Sequence, residues 1–387
     1  MSTVFDRCDV VLVGGGVVGC ALARELAERG ARIAVVERAE PGSEASGAAA
    51  GMLSPQAEST ERTPFFDLCL ASRELHRVWA RELAGETGIE VGYRRCGVLR
   101  CDFDEEAARL AEAFSWQRAE GLAVEPLDGF SAAARTEKRI SDGVRGALFF
   151  PEDGLVDSAR LTHALAVSAR ARGARIHVGE TVRRCLLRGG RCVGVETGSG
   201  ALSAGQVVIT AGAWSGFDTG LPFAIPVEPV RGQIVELAAD FELPTIVQDD
   251  RVYIVPRPGG RVLAGATVEH VGFRKEVTAG AVAGLIDAAT RLVPGLSRAG
   301  FVRAWSGLRP GTPDGLPILG ATPLPGLFVA TGHFRNGILL APATARGMAD
   351  LLSGTAVASF APFSLSRFPA SSSPTVTAAA PASGVFG

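Results

Sequence analysis

The hydrophobic positions of the chain fall into three recurring patterns. Residues 9–13 (DVVLV) form a short apolar run between an acid and glycines, which predicts a buried strand. From 18 to 29 the apolar positions Val18, Leu22 and Leu26 share one helix face, and 32–37 (RIAVVE) is strand-like again. These three read as a βαβ unit. Further on, 160–172 predicts a helix, 175–178 and 181–187 predict strands, and 204–214 (AGQVVITAGAW) predicts a buried strand ending in a tight turn. Gly30, Gly173 and Gly212 supply the caps or turns. The stretches 76–140 and 225–308 alternate instead, as in GQIVEL, RVYIVP and RVLAGAT, which suits an antiparallel sheet. Strands of the first kind return near 320–352, so two domains are expected to thread through one another.

Composition narrows the class. A chain of 387 residues is long enough for two domains with a sizeable core. Its net charge of −2 offers no basic surplus for nucleic acid. The 48 glycines and 22 prolines are about half as many again as average usage would supply, which implies many turns and close backbone approaches. Seven cysteines without a CxxC pair signal neither a zinc site nor a disulfide framework, and a reducing cytoplasm is the expected location. Asp6 and Asp9 stand where a secretory leader carries positive charge, and no apolar run reaches the ~18 residues of a membrane span.

The first turn of the βαβ unit carries the clearest chemistry. Gly14, Gly16 and Gly19 form GxGxxG between strand and helix, and Glu37 ends the second strand about twenty residues on. The first glycine permits the turn, the second lets backbone approach a pyrophosphate, and the third lets helix pack on strand. The amides of Val17 and Val18 open the helix and present its positive end to phosphate. Glu37 suits a ribose and disfavours a 2′-phosphate; Arg38 beside it reads as a surface arginine. The motif does not separate NAD from FAD. The segment EASGAAAGM, Glu44 to Met52, bears on the choice, because small residues let backbone lie against an extended ligand such as the FAD ribityl chain. The same letters also fit an alanine-rich helix start.

With GGGVVG, SGAAAGML, AGAWSG, YIVPR, GLRPGTPDGLPILG and above all GHFRNGILLAPAT in view, the chain resembles the D-amino-acid oxidase superfamily over residues 9–352. Within that superfamily it is similar to the glycine oxidase family of thiamine synthesis. The resemblance implies a non-covalently bound FAD and oxidation of glycine and other small amines such as sarcosine and D-alanine to an imine that water hydrolyses. Dioxygen takes the electrons and becomes hydrogen peroxide. The expected fold class is α/β: a Rossmann-like FAD-binding domain (1–75, 141–224, 309–353) interleaved with an α+β substrate domain on an antiparallel sheet (76–140, 225–308). The Ala/Ser/Pro stretch 354–387 is read as a disordered tail. A homo-oligomer is expected. By motif, FAD contacts carry over to Val17, Val18, Glu37, Arg38, Ala45, Ser46, Ala50, Gly51, Met52, Val182 and the loop His333, Phe334, Arg335, Asn336, Gly337, Ile338 and Leu339. Substrate and catalytic contacts carry over to Tyr253, Arg309 and Arg335. Arg251 and Val268 depart from the family pattern, which has His and Met there, at positions expected to border the substrate pocket. No cysteine follows Cys192, which argues against the cysteine-linked flavin of the related sarcosine oxidases.

The residues can also be read without the family. FVATGHFRNGILLAPATARGMADLL reads as strand, glycine loop and helix, so the amides of Asn336, Gly337 and Ile338 crown a helix start whose partial positive charge favours a reduced flavin. Arg309 lies in a turn-rich stretch beside Pro310 and Gly311, and its planar fork suits a carboxylate. Tyr253 alternates with Val252 and Ile254; it fits a substrate-facing phenol and equally a core-edge tyrosine bonding a carbonyl. Arg335 sits among small residues and can hold either cofactor or substrate. His333 is assigned to the FAD loop alone, since hydride transfer to flavin N5 from a neutral amine needs no enzyme base. Two alternatives share the fingerprint: a D-amino-acid dehydrogenase that passes electrons to a quinone or an electron-transfer protein, and a dinucleotide sensor without turnover.

Overall fold

The computed structural model describes residues 8–103, 107–136, 138–217 and 220–369. Two eight-stranded sheets carry the architecture. In the first, the strands run in the order Ile318–Ala321, Leu327–Thr331, Ala201–Ile209, Cys8–Val13, Ile33–Glu37, Arg175–Val178. All these pairings are parallel except that of the edge strand Ile318–Ala321. The hairpin Val182–Arg188 and Arg191–Thr197 extends from Ala201–Ile209. Alternation explains why Val10–Val13 is apolar throughout: Val10 and Leu12 enter one core, while Val11 and Val13 enter another on the opposite face. Helices Val17–Glu28, Ser158–Ala171, Gly337–Leu352 and Pro64–Thr87 pack together over the first of these cores.

The second sheet orders Gly300–Gly311, Glu228–Ala238, Arg261–Gly265, Tyr253–Pro256, Ile246–Gln248, Val98–Asp102, Gly146–Phe150 and Glu125–Asp128. Every pairing is antiparallel except Ile246–Gln248 with Val98–Asp102. Helix Ala279–Leu292 seals one face through Leu285, Ala289 and Leu292. The other face carries Ile234, Leu263 and Tyr253.

Four expectations are corrected. Gly146–Phe150 was placed with the nucleotide half, but it pairs with Val98–Asp102 in the antiparallel sheet. Residues 76–87 do not alternate as a strand; they complete the 24-residue helix Pro64–Thr87, which Thr63 caps by accepting a hydrogen bond from the Phe66 amide at 3.1 Å. Its inward stripe of Phe66, Cys69, Ser72, Arg73, His76, Trp79 and Leu83 has helical spacing, but its middle is polar and hides the hydrophobic period. Arg309 lies within the strand Gly300–Gly311, opposite Val230, and not on a turn. Lastly, residues 354–369 fold back onto the body: Phe360, Phe363 and Leu365 are buried, and Arg367 pairs with Asp314 at 2.7 Å. Aromatic anchors in a nearly uncharged stretch outweigh its loop-like composition. Residues 370–387, the remainder of the expected tail, lie outside the described residues.

Because the Phe363 ring is fully buried, Phe363→Ala should cost about 3–5 kcal/mol of unfolding free energy in urea titration. The buried histidines set a pH dependence. Burial pushes His76 and His333 down to about 4. An unfolded histidine takes its proton near ~6.5, so between these values the unfolded chain binds the additional proton. Stability should therefore be full above that upper value and fall as pH drops toward 4, by up to about 3 kcal/mol per histidine. Melting temperature measured across this window checks the slope, and His333→Gln should flatten part of it.

Candidate active site

A cleft of about 530 Å³ opens between the two sheets at the carboxyl ends of the parallel strands. Gly14, Gly16, Val17 and Val18 line its first end. Gly19 does not line the cleft. A Cβ at Gly19 would meet the Gly14 carbonyl oxygen at 2.0 Å, so its role is to let helix and strand touch. The Glu37 carboxylate accepts hydrogen bonds from the Gly15 amide at 2.7 Å and the Ala39 amide at 2.9 Å, which fixes it at the strand end facing the cleft. Arg38 is more than a surface residue: its guanidinium stacks 3.7 Å from the Trp214 ring centre and pairs with Glu44 at 2.6 Å. The Ser46 hydroxyl accepts from the Val17 amide at 2.9 Å and so stands at the helix start. Ala45, Ala50, Gly51, Met52 and, from the hairpin, Val182 line the middle of the cleft. This small-residue wall, between an acid-bearing strand end and a second helix start, fits an extended dinucleotide with a flat ring at its far end.

That second helix start is formed by the chain near its other terminus. His333, Phe334, Arg335, Asn336, Gly337 and Ile338 all line the cleft, and the Phe334 amide bonds the Pro310 carbonyl at 3.0 Å, tying this loop to the strand that carries Arg309. Phe334 has a φ of 46°, rare for a residue with a side chain. Leu339 is not part of the lining: it is buried in the helix core. His333 turns its Nε2 to the Thr344 hydroxyl at 3.0 Å, and its low affinity for a proton keeps it neutral.

Tyr253, Arg309 and Arg335 converge at the second-sheet side of the cleft. The Arg309 guanidinium lies across Gly232, where a Cβ would come within 2.3 Å of its nitrogens, and Nη1 donates to the Thr267 carbonyl at 2.9 Å. Tyr253 lies over Gly265 in the same way, its hydroxyl 2.6 Å from where a Cβ would stand. Burial pulls Arg309 below the ordinary arginine value and raises the Tyr253 phenol; each also feels the other's charge and that of Arg335. Among the described residues Arg309 has no carboxylate partner. Arg335 is half-exposed and donates to Glu58 at 3.1 Å.

Glu58 is a charged cleft residue that sequence reasoning missed. It follows the matched segment SGAAAGML by five positions and has no periodic signature. Its loop is anchored beneath: the Ala57 amide donates to the buried Asp153, which pairs with Arg73 at 2.8 Å, and Arg73 also donates to Gln56 at 2.7 Å. Thr210 and Trp214, beside and within the quoted motif AGAWSG respectively, also line the cleft, and the Thr210 hydroxyl donates to the Gly14 carbonyl at 2.9 Å. Arg251 and Val268 were expected to border the substrate pocket. Both are exposed and neither lines the cleft.

Comparison with known proteins agrees with this geometry. Residues 9–351 match the family model described as FAD dependent oxidoreductase. The glycine oxidase of Geobacillus kaustophilus is 40% identical over 93% of this chain and 97% of its own length. A crystal structure of glycine oxidase from that organism superposes with a TM-score of 0.89, covering 94% of this chain and 99% of the other. The bifunctional protein ThiO/ThiG of Nostoc sp. is 37% identical over 89% of this chain, which spans about half, 52%, of that longer protein. A cleft of this form, on a chain so matched along nearly its whole length, makes the protein a member of the FAD-dependent oxidoreductases of the D-amino-acid oxidase type, within the glycine oxidase family.

Proposed function

We propose that the protein oxidises glycine and, with them, other small amines such as sarcosine and D-alanine, and that the observation carrying this reading is the desolvated Arg309 fork beside Tyr253 in a cleft walled by the FAD-binding segments. When bound, FAD would supply the acceptor for two electrons and the α-hydrogen, with dioxygen as the final acceptor that leaves as hydrogen peroxide. For glycine, loss of hydride and one amine proton leaves the imine, and water converts it to glyoxylate and ammonia.

The chain's own residues bind and orient. Two parallel N–H groups of Arg309 meet the substrate carboxylate, and Tyr253 closes its other side, so that the α-carbon is held toward the second helix start. No base is needed at the amine. His333 is neutral and committed to Thr344, and Glu58 is committed to Arg335, so the amine proton goes to solvent. With Arg335 balanced by Glu58, Arg309 is, among the described residues on the second-sheet side of the cleft, the cation left for an anion, which matches a substrate carrying one carboxylate. Val17, Val18, Glu37 and Ser46 would hold the diphosphate and ribose, Arg38 and Val182 the adenosine side, and Asn336 to Ile338 the ring edge. Identity to the ThiO/ThiG protein supports supply of the glycine imine to thiamine thiazole synthesis, and seven cysteines without the spacing of a disulfide framework suit the cytoplasm.

Adding glycine, sarcosine or D-alanine to the yellow holoprotein without oxygen should bleach its absorbance, and air should restore it with peroxide. Recovery only with a quinone would assign a different acceptor, and no bleaching by any of the three would remove the amine reading. Arg309→Ala should lower kcat/KM roughly 10²–10⁴-fold, the loss of two charge-assisted hydrogen bonds, with FAD retained. Gly232→Ala should act in the same direction, chiefly on KM, because the added methyl displaces the guanidinium.

A further inference from the structure

The helix Gly337–Leu352, whose start lines the cleft, carries Pro342 in its second turn. Proline has no N–H for the carbonyl four residues back, so the Ile338 carbonyl loses its helical partner. The next amide also reaches outside its helix: Ala343 donates to the Ser72 hydroxyl at 3.1 Å. Two carbonyls of the first turn, Ile338 and Leu339, thus face the neighbouring helix Pro64–Thr87, and that helix supplies their donors. The Ser72 hydroxyl donates to the Leu339 carbonyl at 2.6 Å, and His76 Nε2 stands 3.0 Å from the Ile338 and Leu339 carbonyls alike. Carbonyls only accept, so Nε2 carries the proton. Ser72 both accepts and donates, which bridges the Ala343 amide and the Leu339 carbonyl, and His76 takes the place of the missing amide at 342.

Both side chains are fully buried. A plain alanine at 342 would give the Ile338 carbonyl its helical donor, and Ala343 could serve Leu339, without burying two polar groups, a costly arrangement in a core. What it adds is control: the tilt of residues 337–341, and so the direction of the Gly337 and Ile338 amides that line the cleft, is set by another helix. We propose that Ser72 and His76 are positioning residues that orient the first turn of the flavin-facing helix, so that its positive end favours the charge the ring gains on reduction. The proposal rests on the reading that the ring edge meets this helix start.

The test uses purified holoenzyme and measures flavin midpoint potential by dye equilibration, alongside melting temperature. Ser72→Ala and His76→Leu should lower the ratio of reduced to oxidised flavin at fixed potential three- to tenfold, where tenfold is ~30 mV for a two-electron couple. His76→Gln, which keeps a donor, should stay near wild type. Adding Pro342→Ala to His76→Leu restores a backbone donor for the Ile338 carbonyl and should return the ratio toward wild type. Ser72→Ala removes a single hydroxyl and decides the matter if His76→Leu does not fold. Unchanged potentials with lowered melting temperatures would reduce both residues to packing, and a His76→Leu shift that Pro342→Ala leaves untouched would also overturn the proposal. A wild-type protein without bound flavin would instead refute the cofactor reading, so the two failures are distinguishable.

Discussion

Parallel pairing on both sides of the strand Ala201–Ile209 holds the chemistry of this molecule together. Cys8–Val13 pairs along one edge of it and Leu327–Thr331 along the other, so two strands more than 300 residues apart in sequence end at the same level of one sheet. Each is followed by a glycine turn and a helix, and parallel strands send both helices off in the same direction. Two partially positive helix starts, at Val17 and Gly337, therefore open on one cleft. Thr210, the residue after the shared strand, bonds the Gly14 carbonyl and locks the first turn against it. Anion binding at one end of the cleft and charge stabilisation at the other follow from a single pattern of backbone pairing.

The second sheet contributes a different kind of electrostatics. Its strands place long polar side chains across glycines, with Arg309 over Gly232 and Tyr253 over Gly265, so each lies flat and loses water without losing reach. Desolvation lowers the affinity of Arg309 for its proton, yet guanidinium starts so high that it stays charged, whereas the buried histidines His76 and His333 become neutral. Burial thus leaves a cation where a carboxylate must bind and keeps His76 and His333 uncharged in the helix layer.

Local signals made much of this legible from the residues alone. The βαβ unit, the glycine fingerprint, Glu37 and the helix start after Gly332 are written in runs of fewer than thirty residues, and the structure brings them to one cleft. Arg309 and Tyr253 were found through motif resemblance; periodicity alone leaves Tyr253 open between pocket and core edge. What stayed hidden depends on partners distant in sequence. Glu58 matters because Arg335 is 277 residues away. Gly146–Phe150 belongs to the second sheet only through its pairing with Val98–Asp102. Arg251 and Val268 were misplaced because motif alignment fixes position along a strand or loop and not the direction of a side chain.

The helix Pro64–Thr87 shows why its own pattern was hard to read. A helix whose task was packing alone would carry apolar residues along its whole inner stripe, but Ser72, Arg73 and His76 interrupt this one in the middle. All three are buried, and each is spent on a contact with the walls of the cleft. Ser72 and His76 reach the carbonyls at the start of the helix that begins at Gly337, while Arg73 reaches Gln56 and Asp153 beneath the loop that bears Glu58. The cofactor-facing and substrate-facing walls are therefore braced from one rigid rod, within about one and a half helical turns of each other. Since breaking a buried, hydrogen-bonded pair leaves an unsatisfied group in low dielectric, neither wall can move without raising the energy of this helix. The polar break in the stripe is the trace, in sequence, of that shared brace.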